Sequence, residues 1–175
     1  MPKNLRRLER LNRQTMEQGI FIQKLQRPFW FRFFLLKALP AAFFAGIKIH
    51  TLSSESATIS IRFSWLTQNP FKSIYFACLA MAAEMSSGIL ALIHSQHIKP
   101  SISMLVIGMK VDFHKKAVGQ IHFECQDGSM IHAAIEKSIQ TQTGQTIITH
   151  SRGLNEEGIC VADFYITWSF KQKIK

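Results

Sequence analysis

A chain of 175 residues with 47% hydrophobic and 18% charged residues is too apolar to stay disordered. Its length suits one domain that removes roughly 70% of its unfolded surface from water. The net charge of +10 is lopsided: residues 1 to 50 carry ten Lys or Arg against Glu9 and Glu17, a local +8, and the rest of the chain carries only +2.

The first segment, "MPKNLRRLERLNRQTMEQGI", sets Leu5, Leu8, Leu11 (or Asn12), Thr15 and Met16 at helical spacing, with Arg6, Arg7, Arg10 and Arg13 largely on the other side. With "FWFRFFLLK" following, this basic arm over residues 1–38 suits an anionic membrane surface, or a helix whose apolar side packs on its own domain. No nucleic-acid-binding motif accompanies it, so nucleic acid is not an expected partner. The apolar run Pro28 to Ile47 is interrupted by Arg32, Lys37 and Pro40, too soon to span about 30 Å of hydrocarbon. A single domain is expected over residues 39–175.

Strands follow, recognised by a period of two. After a weak strand at Gly46 to Leu52, "SATISIRFS" places Ala57, Ile59, Ile61 and Phe63 on one face. The period then changes. "NPFKSIYFACLAMAAEMSSGILAL" reads as a long helix, about 73–94, entered at Asn69-Pro70 or capped by Ser73. Beyond it, "SMLVIGMKVDFH" is expected to face the core with Leu105, Ile107, Met109, Val111 and Phe113, and "GQIHFEC" with Ile121, Phe123 and Cys125. A shorter helix is expected at Ser129 to Gln142, a weak strand at Gln145 to Ser151, and a final strand showing Cys160, Ala162, Phe164, Ile166, Trp168 and Phe170 on one side. Six strands with one apolar face each need one covering layer, and the long helix supplies it. The fold class is α+β.

Within that helix Glu84 interrupts an otherwise apolar run. In a membrane span it would cost about 2.5 to 3.5 kcal/mol, whereas the one-sided strands demand this helix as their partner. An ionised carboxylate in such a setting must be paired, protonated or open to a wet crevice. Its neighbours one and two turns away, Ala77, Ala80, Met81, Ser87, Gly88 and Ala91, are nearly all small. They make a face for close packing or for a slender ligand. The helix start offers unpaired amides and a positive dipole end to a negatively polarised oxygen.

Cys78, Cys125 and Cys160 form no CxxC pair, which points to reduced thiols in the cytoplasm. His94 and His97 lack an acidic or Cys partner nearby, so no metal is expected. His50, His114, His122, His132 and His150 are scattered, and no GxSxG, P-loop or GxGxxG occurs. Lys115, Lys116 and Arg152 suit the phosphates of coenzyme A or simply surface charge.

The combination N-P-F-x-S-I-Y-F followed by A-M-A-A-E-M, after two strands and before four more, resembles the hotdog-fold thioesterase-like superfamily. It is most similar to the branch catalogued as a domain of unknown function and related to the phenylacetyl-CoA-thioesterase type, over about residues 39 to 172. The resemblance implies an antiparallel sheet wrapped around the long helix, and homodimers or dimers of dimers with thioester sites between subunits. It also implies a hydrolase of acyl-CoA or another acyl thioester, with no cofactor beyond the coenzyme A of the substrate. Carried over by position, Asn69 and the amides near Ser73, Ile74 and Tyr75 bind the carbonyl, and Glu84 is base or nucleophile; the small Ala80 and Gly88 beside it are expected to be substrate-binding positions as well. The His-Gly-Gly of many active members is absent, and Lys72 and Ala77 stand where close relatives tend to carry glycine. A non-catalytic acyl or lipid binder, peripheral to a membrane, is the second expectation.

Overall fold

A computed structural model describes residues 3–96 and 98–173, with side chains from residue 15 onward. The leucine and arginine pattern of residues 5–13 therefore lies outside the described side chains, as does His97. The chain opens with three helices, α1 (Lys3–Gln26), α2 (Pro28–Ala38) and α3 (Pro40–Phe44). Pro28 and Pro40 each begin a helix, where a missing N–H removes no bond. Phe31 and Leu35, one turn apart, turn α2 into the core.

Six strands then form one antiparallel sheet in the order β1-β2-β4-β5-β6-β3. They are β1 (Lys48–Leu52), β2 (Ala57–Arg62), β3 (Ile102–Phe113), β4 (Gln120–Cys125), β5 (Gln145–Asn155) and β6 (Cys160–Gln172). Helix α4 (Phe76–Ser95) sits between β2 and β3 in sequence, and α5 (Gly128–Thr141) between β4 and β5. The sheet wraps α4, which packs across β2, β4 and β5. Its buried positions include Leu79, Ala82, Ala83, Leu90 and Ile93, and the opposing strands contribute Ile59, Ile61, Ile121, Phe123, Phe164 and Ile166. Ser86 goes into this core at no polar deficit, because its hydroxyl donates to Ala83 O at 2.8 Å and shares a proton with Ser151 Oγ at 2.7 Å. Among the described residues α4 alone is long and apolar enough to cross a membrane, but most of it is buried inside the fold.

Strands β2, β4 and β6 turn the expected side chains inward, apart from Cys160 and Phe63 (just past the end of β2), which are half-buried. β3 departs from simple alternation. A bulge between Val106 and Gly108 shifts its pairing with β6, so the inward residues are Met104 and Val106 before it and Val111 after it. Leu105, Ile107, Met109 and Phe113, all expected in the core, are exposed on this unpaired edge strand. One extra residue in a strand reverses the face of everything on one side of it. α4 also starts later than expected, with Tyr75 as N-cap and no side-chain cap.

Candidate functional site at the start and middle of the central helix

The loop entering α4 is tied down by its own polar groups. Thr67, fully buried, donates through Oγ1 to Arg62 O at 2.8 Å. Asn69 Oδ1 accepts from the amides of Phe71 at 2.9 Å and Ser73 at 3.3 Å, while its Nδ2 donates to Ser73 Oγ at 3.0 Å. The Ile74 amide donates to Ala117 O at 2.9 Å and that of Tyr75 to Thr67 O at 2.7 Å. Asn69 is thus a loop clasp, and the Ser73, Ile74 and Tyr75 amides expected to meet a carbonyl are engaged inside the chain. An Asn side chain two and four residues before backbone donors closes an Asx-type turn more readily than it reaches outward. Donors without a partner among the described residues lie one step later, at Phe76 and Ala77. There the positive end of a 20-residue helix favours an oxyanion. Lys72 holds φ +56°, the region glycine adopts without strain, and its side chain is exposed.

Beside this helix start lies a cavity of about 340 Å³. Tyr75, Phe76, Leu79 and Phe113 give it apolar walls, Ser73 and Ile74 complete the loop side, and Lys115 and Lys116 stand at its rim. Two lysines picked out for phosphate contact are therefore brought to the same opening as the loop residues. Phe113, which alternation along β3 places on the core face, is exposed at this wall instead and stands edge-on to Phe164, ring centres 5.9 Å apart.

Glu84 lies elsewhere on α4, about eight positions and roughly 12 Å of helix rise beyond Phe76. It belongs to a half-buried stripe with Ala77, Ala80, Met81 and Gly88. Its Oε1 folds over Gly88, 2.9 Å from where a Cβ on that residue would stand, and Trp168 Cζ2 is 3.4 Å from the same point. The indole is held there by donating from Nε1 to Ser87 Oγ at 3.0 Å, and Ser87 Oγ donates to Glu84 O at 3.2 Å. Among the described residues no hydrogen bond reaches the Glu84 carboxylate, and burial pushes its pKa up. The role of Trp168 was illegible beforehand: alternation marks it as core, and its pairing with an acid on a distant helix follows only from the packing.

The histidines divide by setting. His94 donates from Nε2 to Ser54 O at 2.8 Å, and burial lowers its pKa. His114 and His150 both donate to Asp163, at 2.8 and 2.6 Å. Burial alone would raise the Asp163 pKa, but these bonds and one from Cys160 outweigh it and the net shift is downward. His114, Cys160 and Asp163 form the single group among the described residues whose donor atoms, all within 4.8 Å, suit a metal ion. All three cysteines are free thiols.

The fold is shared with solved structures of low sequence identity. A Pseudomonas aeruginosa protein of unknown function, described as a probable thioesterase, aligns with a TM-score of 0.69 at 18% identity, covering 86% of this chain and 99% of that one. A Chlorobaculum tepidum protein of unknown function aligns with a TM-score of 0.70 at 14% identity, covering 86% and 99%. A Haemophilus influenzae thioesterase aligns with a TM-score of 0.57 at 12% identity, covering 80% and 88%. A comparison with curated proteins gives no match. With residues 31–170 matched, the chain belongs to the family described as Domain of unknown function (DUF4442), and its architecture is the hotdog fold.

Proposed function

We propose that the protein hydrolyses acyl thioesters, acyl-CoA foremost, at a site made by two copies of the chain. The observation that carries this reading is the composition of α4: two unpartnered amides at its positive end and a desolvated carboxylate in its middle, with no hydrogen bond among the described residues. The Phe76 and Ala77 amides stabilise the oxyanion that forms on the thioester carbonyl, and preorganised donors of that kind are commonly worth about 3 kcal/mol each. Glu84, its pKa raised, takes a proton from the attacking water and returns it as the tetrahedral species expels the thiolate, or attacks directly. Lys115 and Lys116 meet the phosphates of coenzyme A at the mouth of the cavity.

One helix cannot do both tasks for one carbonyl. Reacting atoms must approach to about 3 Å, whereas the amides and Glu84 of one chain are separated by roughly 12 Å of helix. A second copy resolves this if its Glu84 faces the first copy's helix start. The twelve-residue edge strand β3, with Leu105, Ile107 and Met109 exposed, supports such a dimer through strand addition.

Complementation tests the arrangement. Phe76→Pro removes one amide donor while suiting the first helical position, because Tyr75 is already extended at φ −62° and ψ 135°. It is expected to lower kcat by about 10²-fold to 10³-fold, and Glu84→Gln to abolish turnover. Unfolding and refolding the two variants together should restore roughly a quarter of wild-type activity, since half the dimers are mixed and one of their two sites is intact. No recovery from folded, mixed dimers refutes the shared site, and full turnover by Glu84→Gln refutes the role of the acid. The closure of the Ser73 to Tyr75 amides favours a second reading, a non-catalytic acyl binder. Acyl-CoA bound but uncleaved at every chain length selects it.

A further inference from the structure

α2 is apolar on both sides, and only one side is used by the fold. Phe31 and Leu35 are 3% and 1% exposed, whereas Phe29, Trp30, Phe33 and Leu36 are 76%, 49%, 53% and 49% exposed. These outward residues form one patch: the Trp30 ring meets Phe29 and Phe33 edge-on at 6.3 and 6.4 Å. Single exposed apolar side chains are ordinary, but a contiguous aromatic patch marks a binding surface.

The charge around the patch identifies its partner. No Asp or Glu occurs between Glu17 and Glu55, while Lys24, Arg27, Arg32, Lys37 and Lys48 fall in that interval. All five are exposed, and none meets a carboxylate among the described residues. Arg32 lies 4.3 Å above the Phe43 ring, which anchors it at the patch. Arg32 and Lys48 also border a cavity of about 350 Å³ whose apolar walls include Leu25, Phe31 and Ile49. Cations over an apolar recess, next to outward Trp and Phe, are complementary to phosphates above acyl chains. α1 and α2 pack on β1, at the sheet end opposite β3, roughly 24 Å away at five strand spacings. Strand addition at β3 therefore leaves the patch free.

We infer that the α2 face docks on an anionic phospholipid bilayer, with Phe29, Trp30 and Phe33 entering the headgroup boundary and Arg32 and Lys48 taking lipid phosphates. This inference stands whether or not the chain is a hydrolase. Flotation of the full chain tests it, using vesicles of phosphatidylcholine alone and of phosphatidylcholine with a minority of phosphatidylglycerol. The wild type should float with the anionic vesicles, weakly with the neutral ones, and less as salt is raised. Phe29→Ser combined with Trp30→Ser and Phe33→Ser should abolish flotation with unchanged circular dichroism, since all three side chains point outward. Arg32→Gln with Lys48→Gln should weaken binding roughly 25-fold, about fivefold per charge. Equal flotation with both vesicles, no flotation with either, or undiminished flotation of the triple variant overturns the inference. So does a triple variant that instead dissociates a larger assembly, which makes the patch a contact between copies.

Discussion

Replacing Gly88 by alanine separates the stability of α4 from the state of Glu84. The added Cβ stands 2.9 Å from Glu84 Oε1 and 3.4 Å from Trp168 Cζ2. The first contact is too close to persist, but it is with the free end of a flexible side chain, so the carboxylate moves and the backbone does not. The second is close to ordinary van der Waals range. Alanine in a helix interior is favoured over glycine by up to about 1 kcal/mol, because less backbone freedom is lost. The variant is therefore expected to be as stable as the parent or better by that amount, roughly 2–4 °C in Tm for a chain of this size. Function moves the other way. Displacing a catalytic group by about 1 Å costs on the order of 10²-fold in turnover. Pushing the carboxylate off Gly88 toward water also lowers its pKa, since burial is what raises it. Thermal melting, an NMR titration of the Glu84 carboxyl carbon and the pH profile of kcat/KM on acyl-CoA read the three effects. A variant whose Glu84 titrates and turns over like the wild type refutes the placement of the carboxylate over Gly88. One destabilised by more than about 2 kcal/mol shows that Trp168 does not yield.

Glu84 also sets a pH dependence of stability. Because its pKa is higher in the fold than in the unfolded chain, the folded state keeps a proton that the unfolded state has lost. Stability therefore falls as pH rises through that window. Glu84→Gln should be more stable than the wild type at about pH 8 and equal to it near pH 3, below the ordinary carboxylate range; a pH-independent difference in Tm contradicts this. Gly128→Ala should cost about 1–3 kcal/mol, because its Cβ would lie 2.2 Å from Ser54 O and 2.6 Å from Glu55 Cα, both backbone atoms. The same shift should disturb His94, which donates to Ser54 O; a Gly128→Ala protein with wild-type Tm shows that this loop gives way freely.

Much of the fold was legible because the strands write their geometry locally. Alternation along β2, β4 and β6 identified Ile59, Phe123, Phe164 and Ile166 as core, all of them fully buried. Alternation along β3 points Leu105, Ile107, Met109 and Phe113 inward, yet all four are exposed, since a bulge inserts one residue without a sequence signal and breaks the alternation. The helix start is illegible in the sequence for a related reason. Asn69 and Pro70 signal the end of a strand-to-helix connection, but the partners of Asn69 within its own loop, and of the Ile74 amide at Ala117, depend on which backbone groups arrive nearby.

The sequence by itself determined an apolar helix with one acid among one-sided strands, because a period of 3.6 or 2 and a lone carboxylate are properties of consecutive residues. Only the tertiary structure decided that Trp168 from β6 closes over Gly88 beside that acid, and that the amides without a partner among the described residues begin at Phe76. It also decided that α2 leaves Phe29, Trp30 and Phe33 facing outward. Each of these depends on which groups from distant segments occupy the same few ångströms, and no local pattern encodes that.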